Sequence, residues 1–414
     1  MATSKPKQQL SLLGAVAIGM ASMLGAGVFF VWSTAWDKAN DKIFIALFIA
    51  ALVASLNAAS VYQLASNISR AGGVYAYSRE YLPTSFSFIA GFAFVFGKIA
   101  SIAAIALIIE TYLLPGSYLA SAAVLLMTAL NLLGINRTAQ MAAVLALITL
   151  AFLVFTITVG FSNGFAVQVF RPDMLWPSME ESTLSAAAII FFAFAGYARV
   201  ATLGDEVRDP KENIPKAIVI SLSAVLVIYL LITLVVVGVL RVGNEAMPSA
   251  VFEAVLAISA PWFSPVLIDA VVLAASLGSI LALLAGVSRT ASTMAEDREL
   301  PSVFAKRNRF GAPWLAEVLI ALGAIVLIES NQFTQWVIAF SSFSVLLYYA
   351  IGHLSVLAQP KALRRQPIIF AVLGLVLCCV LMISVPGPAL LVSSIVLVVA
   401  WLLRTGLQKT LKSN

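Results

Sequence analysis

Apolar residues run through this chain in long unbroken stretches separated by polar clusters. Many stretches reach the roughly 20 residues that a helix needs to cross the hydrocarbon of a bilayer. Reading the runs between clusters predicts twelve helices, roughly at 11–33, 42–66, 86–113, 116–134, 139–161, 182–203, 217–240, 264–290, 314–330, 333–356, 367–384 and 388–405. The runs are continuous rather than alternating, so backbone amides in hydrocarbon find partners inside each helix and not across the strands of a barrel. The expected fold class is all-α integral membrane. The longest polar segments between helices, roughly 241–263 and 289–313, have the size of connecting loops, which makes 1–414 a single membrane domain.

Composition agrees. Of 414 residues 61% are hydrophobic and 11% charged, against about 25% charged in soluble domains, and the mean hydropathy is +1.01. The start, Met1 to Lys7, leads into an apolar run with internal glycines and no small-residue cleavage signature, as expected of a first helix and not of a removable signal. Basic residues set the orientation. A cytoplasmic N-terminus places Arg208, Lys211, Lys216, Arg289, Arg298, Lys306, Arg307 and Arg309 inside, and only Lys38, Lys42, Arg171 and Arg241 outside. Both termini are then expected in the cytoplasm, and the net charge of +6 follows from topology without a nucleic-acid partner.

Cys378 and Cys379 are adjacent in one run, which rules out a bond between helices from this pair. The single histidine, His353, near the inner end of the tenth run, is expected to pack or cap a helix end. No clustered metal ligands, His-Glu-x-x-His motif or nucleophile-base set is present, so neither a cofactor nor an enzyme is expected.

Glycines interrupt two of the runs. The first holds Gly14, Gly19, Gly25 and Gly27, the last pair within Met23-Leu24-Gly25-Ala26-Gly27-Val28-Phe29, and the sixth holds Gly196 within Phe191-Phe192-Ala193-Phe194-Ala195-Gly196-Tyr197-Ala198. Small residues also let helices approach closely, and that account serves either run alone. Together they are first and sixth of twelve, equivalent places in two five-helix repeats, and paired interruptions point to the binding site of a secondary transporter. Unwinding frees amide N–H groups at the start of one half-helix and carbonyls at the end of another. These suit a carboxylate and an ammonium, and an amino acid carries both.

The sixth run and the loop after it, from Phe191 through Asp205-Glu206-Val207-Arg208-Asp209-Pro210 to Asn213-Ile214-Pro215, closely resemble the amino acid, polyamine and organocation transporter superfamily. Gly25-Ala26-Gly27-Val28-Phe29, Arg70-Ala71-Gly72-Gly73-Val74-Tyr75 and Met294-Ala295-Glu296-Asp297-Arg298-Glu299-Leu300-Pro301 agree with it. The resemblance spans runs one to ten and matches the last two by number. It implies a LeuT-like five-plus-five inverted repeat, about 11–161 and about 182–356, with peripheral helices at about 367–405 and alternating access around a central site. By position it places a substrate carboxylate on the backbone of Gly25, Ala26 and Gly27 beside Met23. The amino group falls on the carbonyls around Phe192, Ala193 and Ala195, next to Gly196. Phe192 stands where many members carry an aromatic lid; a packing role in a phenylalanine-rich helix is the alternative.

The charges depart from the family pattern. Many members carry a lysine where this chain has Thr149, and many an acidic residue where it has Ala198. Lys98 lies well inside the third run, where an ionisable residue is a functional candidate, although a lysine can also snorkel to the interface. It is expected to supply the intramembrane cation from run three and to exchange a proton during the cycle. In a competing account Thr149, Ser276 and Ser279 ligate sodium, since hydroxyl oxygens suit a hard cation. Arg199 is expected at the inner gate in a structural role, paired with Asp205 or Glu206 or bonded to neighbouring backbone carbonyls, and Asp205 to Lys216 reads as a solvated loop.

The side chains near the breaks are small or apolar, with no carboxylate to balance a cationic substrate. The expected activity is transport of neutral, small or aliphatic L-amino acids across the cell (inner) membrane, proton-coupled or by exchange. Sodium symport and a non-transporting amino acid sensor are the alternatives.

Overall fold

The computed structural model describes residues 10–25, 27–163, 181–243, 251–330, 334–385 and 387–413. Every predicted run has a helical counterpart. Run one is divided between α1 (Leu12–Met23) and α2 (Gly27–Ala39); run two is α3 (Ile43–Ala65). A short α4 (Val74–Tyr81) precedes α5 (Thr84–Leu113), and α6 (Leu119–Asn131) and α7 (Ile135–Ser162) complete the first five runs. Run six is α8 (Glu181–Phe194) followed by the single turn α9 (Ala198–Ala201). Then come α10 (Pro210–Gly243), a short α11 (Val251–Ser259), α12 (Pro265–Glu296), α13 (Trp314–Glu329) and α14 (Thr334–Ala358). The chain ends in α15 (Ile368–Ile383) and α16 (Gly387–Ser413). The expectation did not include α4 and α11, which lie in stretches read as loop.

By length and composition seven of these are full crossings: α1–α2 together, α3, α5, α7, α10, α12 and α14. The pair α15–α16, bent by 113°, makes an eighth if it is one span. The other expected spans are shorter helices. Leu125, Leu126, Val144, Leu147, Val227, Leu230, Leu373, Leu391 and Ile395 expose large apolar side chains on α6, α7, α10, α15 and α16. That apolar belt fits lipid rather than water. The apolar stretches of α5, α12 and α14 are mostly buried among other helices, whereas that of α7 faces outward. The first set therefore forms the wall against which the broken helices sit.

Close backbone approach explains the glycines. A Cβ on Gly196 would come within 2.5 Å of the Ser22 carbonyl carbon and oxygen, and one on Gly25 would overlap the Ser279 hydroxyl of α12. Gly72 and Gly73, at φ +108° and +60°, form the turn that starts α4, where the Val74 amide donates to the Tyr348 hydroxyl at 2.8 Å. Only glycine takes such angles without strain.

Two motifs that lie far apart in sequence meet at one end of the helix bundle. Arg70 pairs with Asp297 at 2.6 Å, the Tyr75 hydroxyl donates to Asp297 at 2.9 Å, and Arg79 pairs with Glu299 at 3.1 Å. Arg404 of α16 reaches the same Glu299 at 2.6 Å. Burial, reinforced by the Asp297 charge, raises the Tyr75 hydroxyl above the usual phenol range, so it stays a donor.

Three expectations change here. His353 is not a helix-end cap: its ring is buried between the Ser60 hydroxyl at 2.8 Å and Asn57 at 2.7 Å, because α3 and α14 need a polar bridge at that depth. Glu206 is not in a solvated loop but is 4% exposed, paired with Arg289. Arg289, counted among the cytoplasmic basic residues, is 2% exposed for the same reason. Solvated pairing begins beyond Pro210, with Lys216 and Glu212 at 2.5 Å. Cys378 and Cys379 are free thiols.

Candidate substrate site at the two helix breaks

The breaks of runs one and six face each other. α1 ends with the Leu24 amide bonded to the Met20 carbonyl at 2.7 Å, and among the described residues no acceptor meets the Gly25 amide. α2 begins at Gly27, and the Val28 amide bonds the Gly25 carbonyl across the break at 3.1 Å. Across the gap α8 stops at Phe194, and the Ala195 amide bonds the carbonyls of Phe191 at 3.1 Å and Phe192 at 3.3 Å. The Ala193 and Ala195 carbonyls lack helical partners and turn toward other elements.

Those two carbonyls already have donors. The Lys98 ammonium of α5 gives the Ala195 oxygen a hydrogen bond of 3.1 Å. The Tyr229 hydroxyl of α10 lies 2.5 Å from the Met23 carbonyl and 3.3 Å from that of Ala193, so one phenol touches both breaks. Ser279 on α12 donates to the Ala21 carbonyl at 2.9 Å and fixes α1 against the wall.

A cavity of about 20 Å³, room for about one water, lies between the breaks. Met23, Gly27, Phe192, Ala193, Gly196, Lys98 and Ser279 line it, with Ser22, Ser101, Ile105 and Leu283. An amino acid needs the two arms to part. A second pocket of about 70 Å³ lies between α2, α8 and α14, lined by Phe30, Thr34, Ser185, Ile189 and Ser342 among others.

The structure therefore gathers most of the expected residues. Gly25 abuts this cavity through Ser279, and Ala195 meets it through Lys98. Ala26 lies outside the described residues. Thr149 and Ser276 do not line the cavity; each hydroxyl bonds a carbonyl of its own helix, Leu145 at 3.0 Å and Val272 at 2.7 Å. Arg199 does not line it either. Its guanidinium donates to the Ala282 carbonyl and, at 2.6 Å, to the Thr202 hydroxyl, which is the backbone-carbonyl alternative and not, among the described residues, the pairing with Asp205 or Glu206. Asp205 instead accepts from the Ala71 amide at 3.3 Å. The alternative for Lys98, snorkelling, does not hold: the residue is 3% exposed with its amine in the central cavity.

Tyr229, Ser22 and Ser101 are absent from the sequence expectations. Tyr229 had a signal, a lone phenol within the aliphatic run of α10, because a hydroxyl in hydrocarbon must find a partner. The serines had none.

Comparison with known proteins places this geometry. The amino acid permease family model matches residues 14–413. An uncharacterized transporter of Mycobacterium tuberculosis is 38% identical over 388 residues, covering 92% of this chain and 87% of that protein. A methylthioribose transporter of Bacillus subtilis is 25% identical over 363 residues, 77% of this chain and 76% of the relative. The vacuolar cationic amino acid transporter 2 of Arabidopsis thaliana is 26% identical over 377 residues, 83% of this chain and 58% of the relative. Among solved structures, the substrate-bound outward-open state of a Na+-coupled sialic acid symporter matches with a TM-score of 0.58 at 14% identity, over 94% of this chain and 91% of that one. That likeness shows the LeuT-like fold alone. With paired helix breaks, a multi-pass apolar bundle and transporters among its relatives, the chain belongs to the amino acid permease family.

Proposed function

We propose that this protein is a secondary active transporter of neutral, small or aliphatic L-amino acids, working by alternating access and coupled to protons. It sits in the cell (inner) membrane with both termini cytoplasmic. In this reading the two inverted repeats, about 11–161 and about 182–356, meet at the cavity between the breaks. The substrate carboxylate takes the backbone of Gly25, Ala26 and Gly27, its ammonium takes the Ala193 and Ala195 carbonyls, and Phe192 closes over it.

The observation that carries the proposal is the bond from Lys98 to the Ala195 carbonyl at 3.1 Å. A substrate ammonium that takes this carbonyl must displace the lysine. The cavity lining holds no carboxylate to keep two cations together, and like charges about 4 Å apart in a poorly solvated site repel by roughly 4 kcal/mol. Lys98 therefore gives up its proton as substrate arrives. Substrate and proton occupy the site alternately, which makes the cycle an exchange of one for the other. The lining also offers no carboxylate to balance a cationic side chain, which disfavours cationic amino acids, unlike the substrates named for the Arabidopsis relatives.

The test is counterflow of each amino acid in proteoliposomes of the purified protein, with proton and sodium gradients set separately. Saturable exchange of neutral amino acids, abolished by Gly196→Leu in protein that still inserts, supports the reading. No exchange of any neutral amino acid contradicts it.

A further inference from the structure

The inner ends of the helices hold a second set of buried charges, which the substrate site does not use. Arg289 of α12 donates from Nε to Glu206 Oε2 at 2.6 Å and from Nη1 to the Ala285 carbonyl at 2.7 Å. The same Nη1 stands 3.5 Å from Glu317 Oε1 on α13. Glu317 is 0% exposed. Its Oε1 accepts from the Ser288 hydroxyl at 3.1 Å, and its Oε2 is buried without a partner. Arg199, on α9, likewise leaves Nη2 without a partner. Arg289, Glu206 and Arg199 are the charged groups that act on Glu317. The other elements packed on α13, namely α5, α6 and the turn Ser302–Ala305, set no charged group against it.

This network crosses a mechanical boundary. Glu206 and Arg199 follow the break of run six, and the Leu10 amide just before α1 donates to the Glu206 carbonyl at 2.9 Å. Both therefore travel with the broken helices, while Arg289 and Glu317 belong to the unbroken α12 and α13. Arg289 is shared between a carboxylate on the moving part and a carboxylate on the wall. With Glu317 ionised, two arginines and two carboxylates cancel, and Arg289 is drawn both ways. With Glu317 protonated, Glu206 is the sole anion facing Arg289. An ionised carboxylate with one bare buried oxygen is also poorly stabilised, and adding a proton removes the charge.

We propose that Glu317 is a second proton-binding site, and that its protonation fastens Arg289 to Glu206 and holds the inner ends of runs one and six shut. Loss of that proton loosens the pair and opens the path to the cytoplasm. The gating half rests on the transport reading above; the proton-binding half does not.

Infrared difference spectroscopy of the full chain in lipid vesicles reads the proton directly. A carboxylic acid band that appears and vanishes reversibly with pH is expected in the wild type and in Glu317→Asp, and its loss in Glu317→Gln. An identical band in Glu317→Gln overturns the site. For the gate, Lys98→Met removes the first proton site, and pH dependence of counterflow that survives in it is expected to be lost when Glu317→Gln is added. If the infrared band is lost but the pH profile of counterflow does not change, the gating role is overturned and Glu317 only binds a proton. A wild type that binds no amino acid and exchanges none overturns the transport reading and the gate with it, while the infrared result still decides the proton site.

Discussion

The Lys98 amine and the Ala195 carbonyl oxygen lie 3.1 Å apart, joining the middle of an unbroken helix to a carbonyl at the break of another. In the proposed cycle Lys98 and the substrate amino group compete for this carbonyl.

Gly25 and Gly196 are both sterically required, with different remedies. A Cβ at Gly25 meets the Ser279 side chain, whereas one at Gly196 meets the backbone of Ser22 at 2.5 Å. Overpacking of this kind typically destabilises by about 1–3 kcal/mol. Gly25→Ala should lower thermal stability and transport, and Ser279→Gly should partly restore both. Gly196→Ala should be as harmful, with no rescue by any side-chain trimming nearby.

Tyr229→Phe removes one hydroxyl that serves two carbonyls, Met23 and Ala193. Leaving buried acceptors unpaired costs about 1–3 kcal/mol. The expected outcome is a lower unfolding temperature together with altered substrate affinity, since in the proposed site the Ala193 carbonyl takes the substrate ammonium. Normal stability and unchanged affinity would argue that Tyr229 has no part in the site.

Charge selectivity should follow the lining and not Lys98. With no carboxylate beside the breaks to balance a cationic side chain, lysine and arginine are expected not to compete for binding in the wild type or in Lys98→Gln. Competition assays on purified protein decide this; lysine or arginine that competes in Lys98→Gln would assign the exclusion to the Lys98 charge.

The coupling ion is separable by mutation. Thr149 and Ser276 spend their hydroxyl protons on their own helices and lie off the cavity. Thr149→Val and Ser276→Ala should therefore leave transport close to normal at every sodium concentration. A sodium-stimulated activity lost in these variants would favour sodium symport.

The helices were legible because hydrocarbon forces backbone bonding within each run, and α3 at Ile43–Ala65 falls within a residue of its expected ends. The breaks were legible from Gly25, Gly27 and Gly196, whose backbone packing has a residue-type signature. Partners across the bundle were not. Nothing local to Glu206 distinguishes it from Asp205, yet one is buried against Arg289 and the other is not, because the contact joins positions 83 residues apart. Of the two partners expected for Arg199, a carboxylate of the following loop or backbone carbonyls, its donors take the second kind, the Ala282 carbonyl, together with the Thr202 hydroxyl, once α12 packs beside it. Lys98 was visible as a charge in an apolar run, but its partner, a backbone carbonyl, carries no side-chain signal at all.

The central claim is that substrate and proton exclude one another at Lys98. Proton release on adding a neutral amino acid to the purified protein in weakly buffered solution tests it directly, with apparent affinity followed as pH rises. The account predicts release of protons on binding and tighter binding at higher pH, both lost in Lys98→Met. Binding without proton release in the wild type, or the same release in Lys98→Met, would contradict it.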